Sequence, residues 1–116
     1  MSNRTGHASR HWRNQRLTSI ALVPLGLWFL LSLLRQPSLE HAVVAGWLSR
    51  PLQALLSALF GAALLWHSLQ GVQVVLEDYV GGRARTLAIA AARIAHAVAA
   101  ALLGWSIAIL ATGGGT

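Results

Sequence analysis

The sequence predicts an all-α membrane protein built from three transmembrane helices. Of the 116 residues 55% are apolar and only 10% charged, a balance far from that of a soluble domain. The apolar residues gather in three runs long enough to cross a bilayer, and the nine basic residues, all arginine, sit mainly at the edges of those runs, where orientation signals belong. The net charge of +6 does not point to nucleic acid, because such binders carry their charge on a solvated polar surface that these stretches do not offer. No cysteine is present, which excludes a disulfide, an iron-sulfur cluster held by this chain and a thioether-linked haem; any redox centre must be held by histidine.

The first run, LTSIALVPLGLWFLLSLL from Leu17 to Leu34, carries no charge. At about 1.5 Å per residue it covers roughly 27 Å, close to the hydrocarbon thickness of about 30 Å. It is longer than a usual signal-peptide core and lacks a small-x-small exit before Arg35, so it is read as a retained span over residues 17–35. Pro24 and Gly26 are expected to bend it, with Ser19 supplying a substitute hydrogen bond.

The second span starts at Pro51, a residue suited to a first helical turn, and runs to Leu76, where Glu77 and Asp78 end it. The third covers residues 87–112, is interrupted early by Arg93 and His96, and stops in a run of glycines. The spacer between them, residues 78–86 with Gly81 and Gly82, is short enough to make the two helices antiparallel neighbours. The organisation is thus a basic segment over residues 1–16, a three-helix domain over 17–112 and a tail over 113–116.

Arg4, Arg10, Arg13 and Arg16 precede the first span and Arg83 and Arg85 follow the second, against Arg35 and Arg50 on the other side. The amino terminus is therefore expected in the cytoplasm and the carboxyl terminus in the periplasm. Trp12, Trp47 and Trp105 fall near the expected interfaces, whereas Trp28 and Trp66 lie deeper and are expected to pack between helices.

An ionisable side chain inside a span costs several kcal/mol unless something compensates it, so His67 asks for a partner. Haem iron is one; an interhelical hydrogen bond from a neutral imidazole is the alternative. At about 100° per residue, Ala63, His67, Gly71, Val74 and Asp78 form one stripe, with small residues a turn either side of the histidine where a flat macrocycle can approach. Asp78 lies three turns, about 16 Å, nearer the cytoplasm on that face. Tyr79 beside it has a phenol suited to a quinone carbonyl, with the carboxylate orienting it or relaying protons, while an ordinary interfacial anchor is the plain alternative.

The basic segment before the first span suits phospholipid headgroups. Arg16 and His11 are also placed to meet haem propionates on that side. His96 admits two readings: a second axial ligand at the depth of His67, or, if Arg93 snorkels to the interface, a contact to a propionate, headgroup or backbone carbonyl. The second is preferred. His7 and His41 are read as tail and loop residues without a role.

Two blocks resemble the small hydrophobic anchor subunit of bacterial succinate dehydrogenase, of the alphaproteobacterial type. HWRNQRLTSIALVPLGLWFLLSLL, His11 to Leu34, is similar to that family's His-Trp-x-x-Gln-Arg-x-Thr entrance and proline-containing span. HSLQGVQVVLEDYV, His67 to Val80, is similar to its second-helix segment, with the same eleven-residue step from histidine to aspartate. The resemblance implies that His67 is one axial ligand of a haem b whose other ligand comes from a companion cytochrome b anchor subunit. It further implies that Tyr79 and Asp78 border a ubiquinone site near an iron-sulfur subunit, and that Arg16 approaches the propionates or that site. A flavoprotein subunit would complete the complex, with FAD and the iron-sulfur clusters held only by partners, and this chain would catalyse nothing alone. His96 and the Gly81-Gly82 turn depart from the family pattern. Two rival readings stand beside this one: a self-contained cytochrome b using His67 and His96, and a helical membrane adaptor without a cofactor.

Overall fold

The computed structural model describes residues 2–113, without the side chains of residues 2–8 and His11. Its order is α1 (Ser2–Leu34), α2 (His41–Leu48), α3 (Pro51–Tyr79) and α4 (Gly82–Ala111). Three segments, Trp12–Leu34, Pro51–Tyr79 and Gly82–Ala111, are long and apolar enough to cross a membrane. The shape, 55 × 27 × 21 Å, is that of long helices running side by side.

Each boundary has a local cause. The chain leaves α1 where Gln36 turns its amide back on the Ser32 carbonyl at 2.9 Å and Pro37 cannot extend the ladder. Pro51 occupies the first turn of α3, where its missing N–H has no partner to lose. Between α3 and α4 only Val80 and Gly81 intervene, and Gly82 takes φ +61°, the left-handed region that side chains with a Cβ avoid. Arg85 fastens this turn by donating from Nε to the Val80 carbonyl at 2.6 Å.

α3 is the central helix, packed against α1 on one side and α4 on another. Both pairs are antiparallel and keep register over two turns. Thr18 meets His67, and eight residues further along α1 a side chain at Gly26 would touch Phe60, seven residues back along α3. On the other side His96 meets Ser68, and Leu103, seven residues on, packs so closely over Gly61 that a Cβ there would collide with its Cδ2. Small residues of this kind allow helices to associate in lipid, where apolar burial alone gives little driving force.

Little of this chain is buried within itself. Trp47, Ala54 and Ser57 are the buried residues among those described, while leucine, valine and tryptophan side chains cover the outside. Lipid or another protein must cover that surface.

Several sequence expectations change. The spacer read over residues 78–86 shrinks to Val80 and Gly81, because α3 continues through Glu77 and Asp78 to Tyr79 and α4 begins at Gly82. α2 occupies what reads as a loop, because Trp47 docks against Trp28 and Phe29 with ring centroids 5.9 and 5.6 Å away. Trp47 is therefore 4% exposed and belongs to the packing, not to an interfacial belt. Trp66, expected between helices, lines the groove between α3 and α4 but is still 53% exposed. Ser19 bonds to the Gln15 carbonyl at 2.9 Å, a turn too early to serve the carbonyl that Pro24 leaves without its helical N–H.

Candidate functional site

The segment 12–19 of α1 crosses α3 at the level of His67. Trp12, Gln15, Arg16 and Ser19 line a cleft of about 280 Å³ together with His67. On its other side the imidazole borders a cleft of about 390 Å³ lined by Ser68, Gly71, Val72, Val75 and Leu76. At Gly71 an added Cβ would meet nothing within 4 Å, so the space beside the ring is open along α3.

Among the described residues the ring is held by one side chain. Thr18 Oγ1 lies 3.2 Å from His67 Nδ1, and also 2.9 Å from the Gln15 carbonyl and 3.1 Å from that of Asn14. A threonine hydroxyl has one proton, and in a helix it donates that proton back to the carbonyl three or four residues earlier. Thr18 is then placed as an acceptor toward the histidine, an arrangement that matches the tautomer with its proton on Nδ1. Nε2 is left with a free lone pair and has no hydrogen-bond partner among the described residues. A nitrogen of this kind has the chemistry to ligate a metal.

Arg16 stands in the same cleft, its guanidinium 4.9 Å from the centre of the Trp12 ring. The indole face holds the planar cation beside the histidine, a fixed positive charge suited to a carboxylate. The structure thus brings Arg16 and His67 together. His11 is a predicted contact whose side chain lies outside the described residues.

Asp78 and Tyr79 are at the last turn of α3, both exposed, Tyr79 at 85%. They are not in the clefts around His67. About 16 Å separates them from it along the helix axis at 1.5 Å per residue. Glu77, in the same turn, accepts a hydrogen bond from the Gln73 amide at 3.0 Å.

His96 is committed elsewhere. Its Nδ1 lies 2.8 Å from the Ala92 carbonyl, which can only accept, and its Nε2 lies 3.1 Å from Ser68 Oγ. Both ring nitrogens are engaged, and the residue lines a different groove of about 260 Å³, with Leu65, Trp66 and Arg93. The backbone-carbonyl contact is one of those its sequence position suggested. Thr18 is the residue that sequence reasoning missed: a threonine near a span entrance reads as an ordinary back-bonded hydroxyl, and only the antiparallel register of α1 on α3 sets it against His67.

Among the described residues no three histidines, aspartates or glutamates converge on one point. An iron held here would take one ligand from this chain and the rest from a porphyrin and a second protein. Nε2 of His67, the open side at Gly71 and the cation of Arg16 fit a haem with propionates on the α1 side.

Fold and site together define a three-span helical membrane protein in which, among the described residues, a histidine nitrogen stands without a partner in a cleft between two spans. A family of this class, the succinate dehydrogenase/fumarate reductase transmembrane subunits, matches residues 3–110, and the chain belongs to it. Among similar proteins is the succinate dehydrogenase hydrophobic membrane anchor subunit of Rickettsia bellii (strain RML369-C), 35% identical over 72 residues, which are 62% of this chain and 58% of that one. The anchor subunit of Rickettsia felis (strain ATCC VR-1525 / URRWXCal2) is 31% identical over 62% of this chain and 60% of its own length. That of Paracoccus denitrificans is 26% identical over 97 residues, 84% of this chain and 68% of that one. The matched region thus spans about three fifths of the length of the Rickettsia relatives. No solved structure matches the chain significantly.

Proposed function

We propose that this chain is the hydrophobic membrane anchor subunit of a bacterial succinate dehydrogenase, and that it holds haem b jointly with a companion cytochrome b anchor subunit. The observation that carries the haem reading is that Nε2 of His67 has no hydrogen-bond partner among the described residues, in a cleft shared with the Arg16 guanidinium. The family match and the names of the relatives support the anchor role.

Bound haem supplies a one-electron carrier beside the quinone site. The chain's own residues would bind and orient it: Nε2 of His67 would ligate the iron and Arg16 would pair with a propionate, with His11 assigned to the same side. Tyr79, with Asp78 beside it, contributes a hydrogen-bond donor and proton access at the edge of a ubiquinone site. The iron-sulfur subunit would complete that site, and the flavoprotein subunit would hold the FAD that takes electrons from succinate. The long helices hold these groups in a dry setting and keep the soluble subunits at the membrane. We place the chain in the bacterial inner membrane, amino terminus in the cytoplasm and carboxyl terminus in the periplasm, on the arginine distribution.

The self-contained cytochrome reading is less favoured, because His96 spends both ring nitrogens on Ala92 and Ser68 and lines a separate groove. The test is the optical spectrum of the purified complex. His67→Ala is expected to abolish the b-type bands while all subunits remain assembled; full retention of those bands would remove His67 as ligand.

A further inference from the structure

We infer that Thr18 is a positioning residue for His67: its hydroxyl oxygen accepts the Nδ1 proton across the α1–α3 interface, selects the tautomer that frees Nε2, and sets how strongly that nitrogen donates to iron. The inference rests on the haem reading above and goes beyond it to the reduction potential of the haem.

Three observations carry it. Thr18 Oγ1 is 3.2 Å from Nδ1, and the hydroxyl proton is taken up by carbonyls 2.9 and 3.1 Å away in its own helix, so the oxygen offers only lone pairs to the ring. Torsion about the bond to an imidazole is broad and roughly two-fold, so a rotamer preference alone does not fix the ring plane or decide which nitrogen faces the cleft. Among the described residues no other group bonds to the His67 ring, so this one contact makes both choices.

A consequence follows for the iron. An acceptor on Nδ1–H gives the imidazole partial anionic character and raises its basicity as a ligand. A stronger donor favours the ferric over the ferrous state. Thr18 therefore holds the haem potential lower than an unbonded histidine would, and its loss raises it.

The test uses the assembled, detergent-purified complex with three variants: Thr18→Val, close in shape but without the acceptor; Thr18→Ser, which keeps it; and His67→Ala. Redox titration of the b-type bands and the low-spin electron paramagnetic resonance g-values are the readouts. Thr18→Val is expected to keep its haem, shift its g-values and favour reduction several-fold to tenfold, the upper end being about 59 mV for a one-electron couple. Thr18→Ser should stay near wild type. Haem loss from Thr18→Val with retention in Thr18→Ser carries the same meaning. The inference is overturned if Thr18→Val keeps wild-type potential and g-values, or if Thr18→Ser departs as far as Thr18→Val, including loss of haem from both. His67→Ala separates the two levels: bands that survive it end the ligand assignment itself, whereas bands lost there and unchanged in Thr18→Val end only the role of Thr18.

Discussion

His67 and His96, both inside spans, face different partners: the first accepts α1 as its neighbour through Thr18, the second bridges α4 to α3 through Ser68. Their separation into different clefts has a direct consequence. His96→Leu is expected to leave the b-type bands intact and to lower thermal stability of the complex by about 1–2 kcal/mol, the usual worth of the two hydrogen bonds it loses. Loss of the bands in His96→Leu but not in His67→Ala would reverse the assignment.

Arg16 packs on Trp12 at the mouth of the His67 cleft. Because Arg16 is exposed, the ion pair proposed for it with a haem propionate would be worth about 1 kcal/mol, roughly five-fold in affinity. Arg16→Gln should weaken haem retention by that factor when haem loss is followed in detergent, while Arg13→Gln, which is outside the cleft, should not.

For Tyr79, exposed at the end of α3, the expectation concerns one half-reaction. Tyr79→Phe should impair succinate-driven quinone reduction several-fold, and leave succinate oxidation by an artificial soluble acceptor unchanged. Equal rates with quinone would take the phenol out of the site.

The α3–α4 turn offers a backbone test. Gly82 has φ +61° while Gly81 has φ −109°, and neither would bring a Cβ within 4 Å of another group. Gly82→Ala should therefore destabilise the fold by about 1–2 kcal/mol, the left-handed penalty, with Gly81→Ala near neutral. Thermal unfolding in detergent compares them, and equal effects would mean that sterics at the turn, not φ, decide.

What the sequence by itself determined lies along single helices: three spans and the short turn at Gly81 and Gly82, since helical period and bilayer thickness depend only on residues near one another in the chain. Tertiary structure alone decided how the helices are rotated and slid. The close fit of Leu103 over Gly61 and the docking of Trp47 on Trp28 and Phe29 are contacts between residues far apart in sequence. From that packing come the helix α2, the turning of His96 toward Ser68, the shared cleft of Arg16 and His67, and the hydroxyl of Thr18 on the imidazole. Each depends on an angle between two helices, and no periodicity within one helix specifies it.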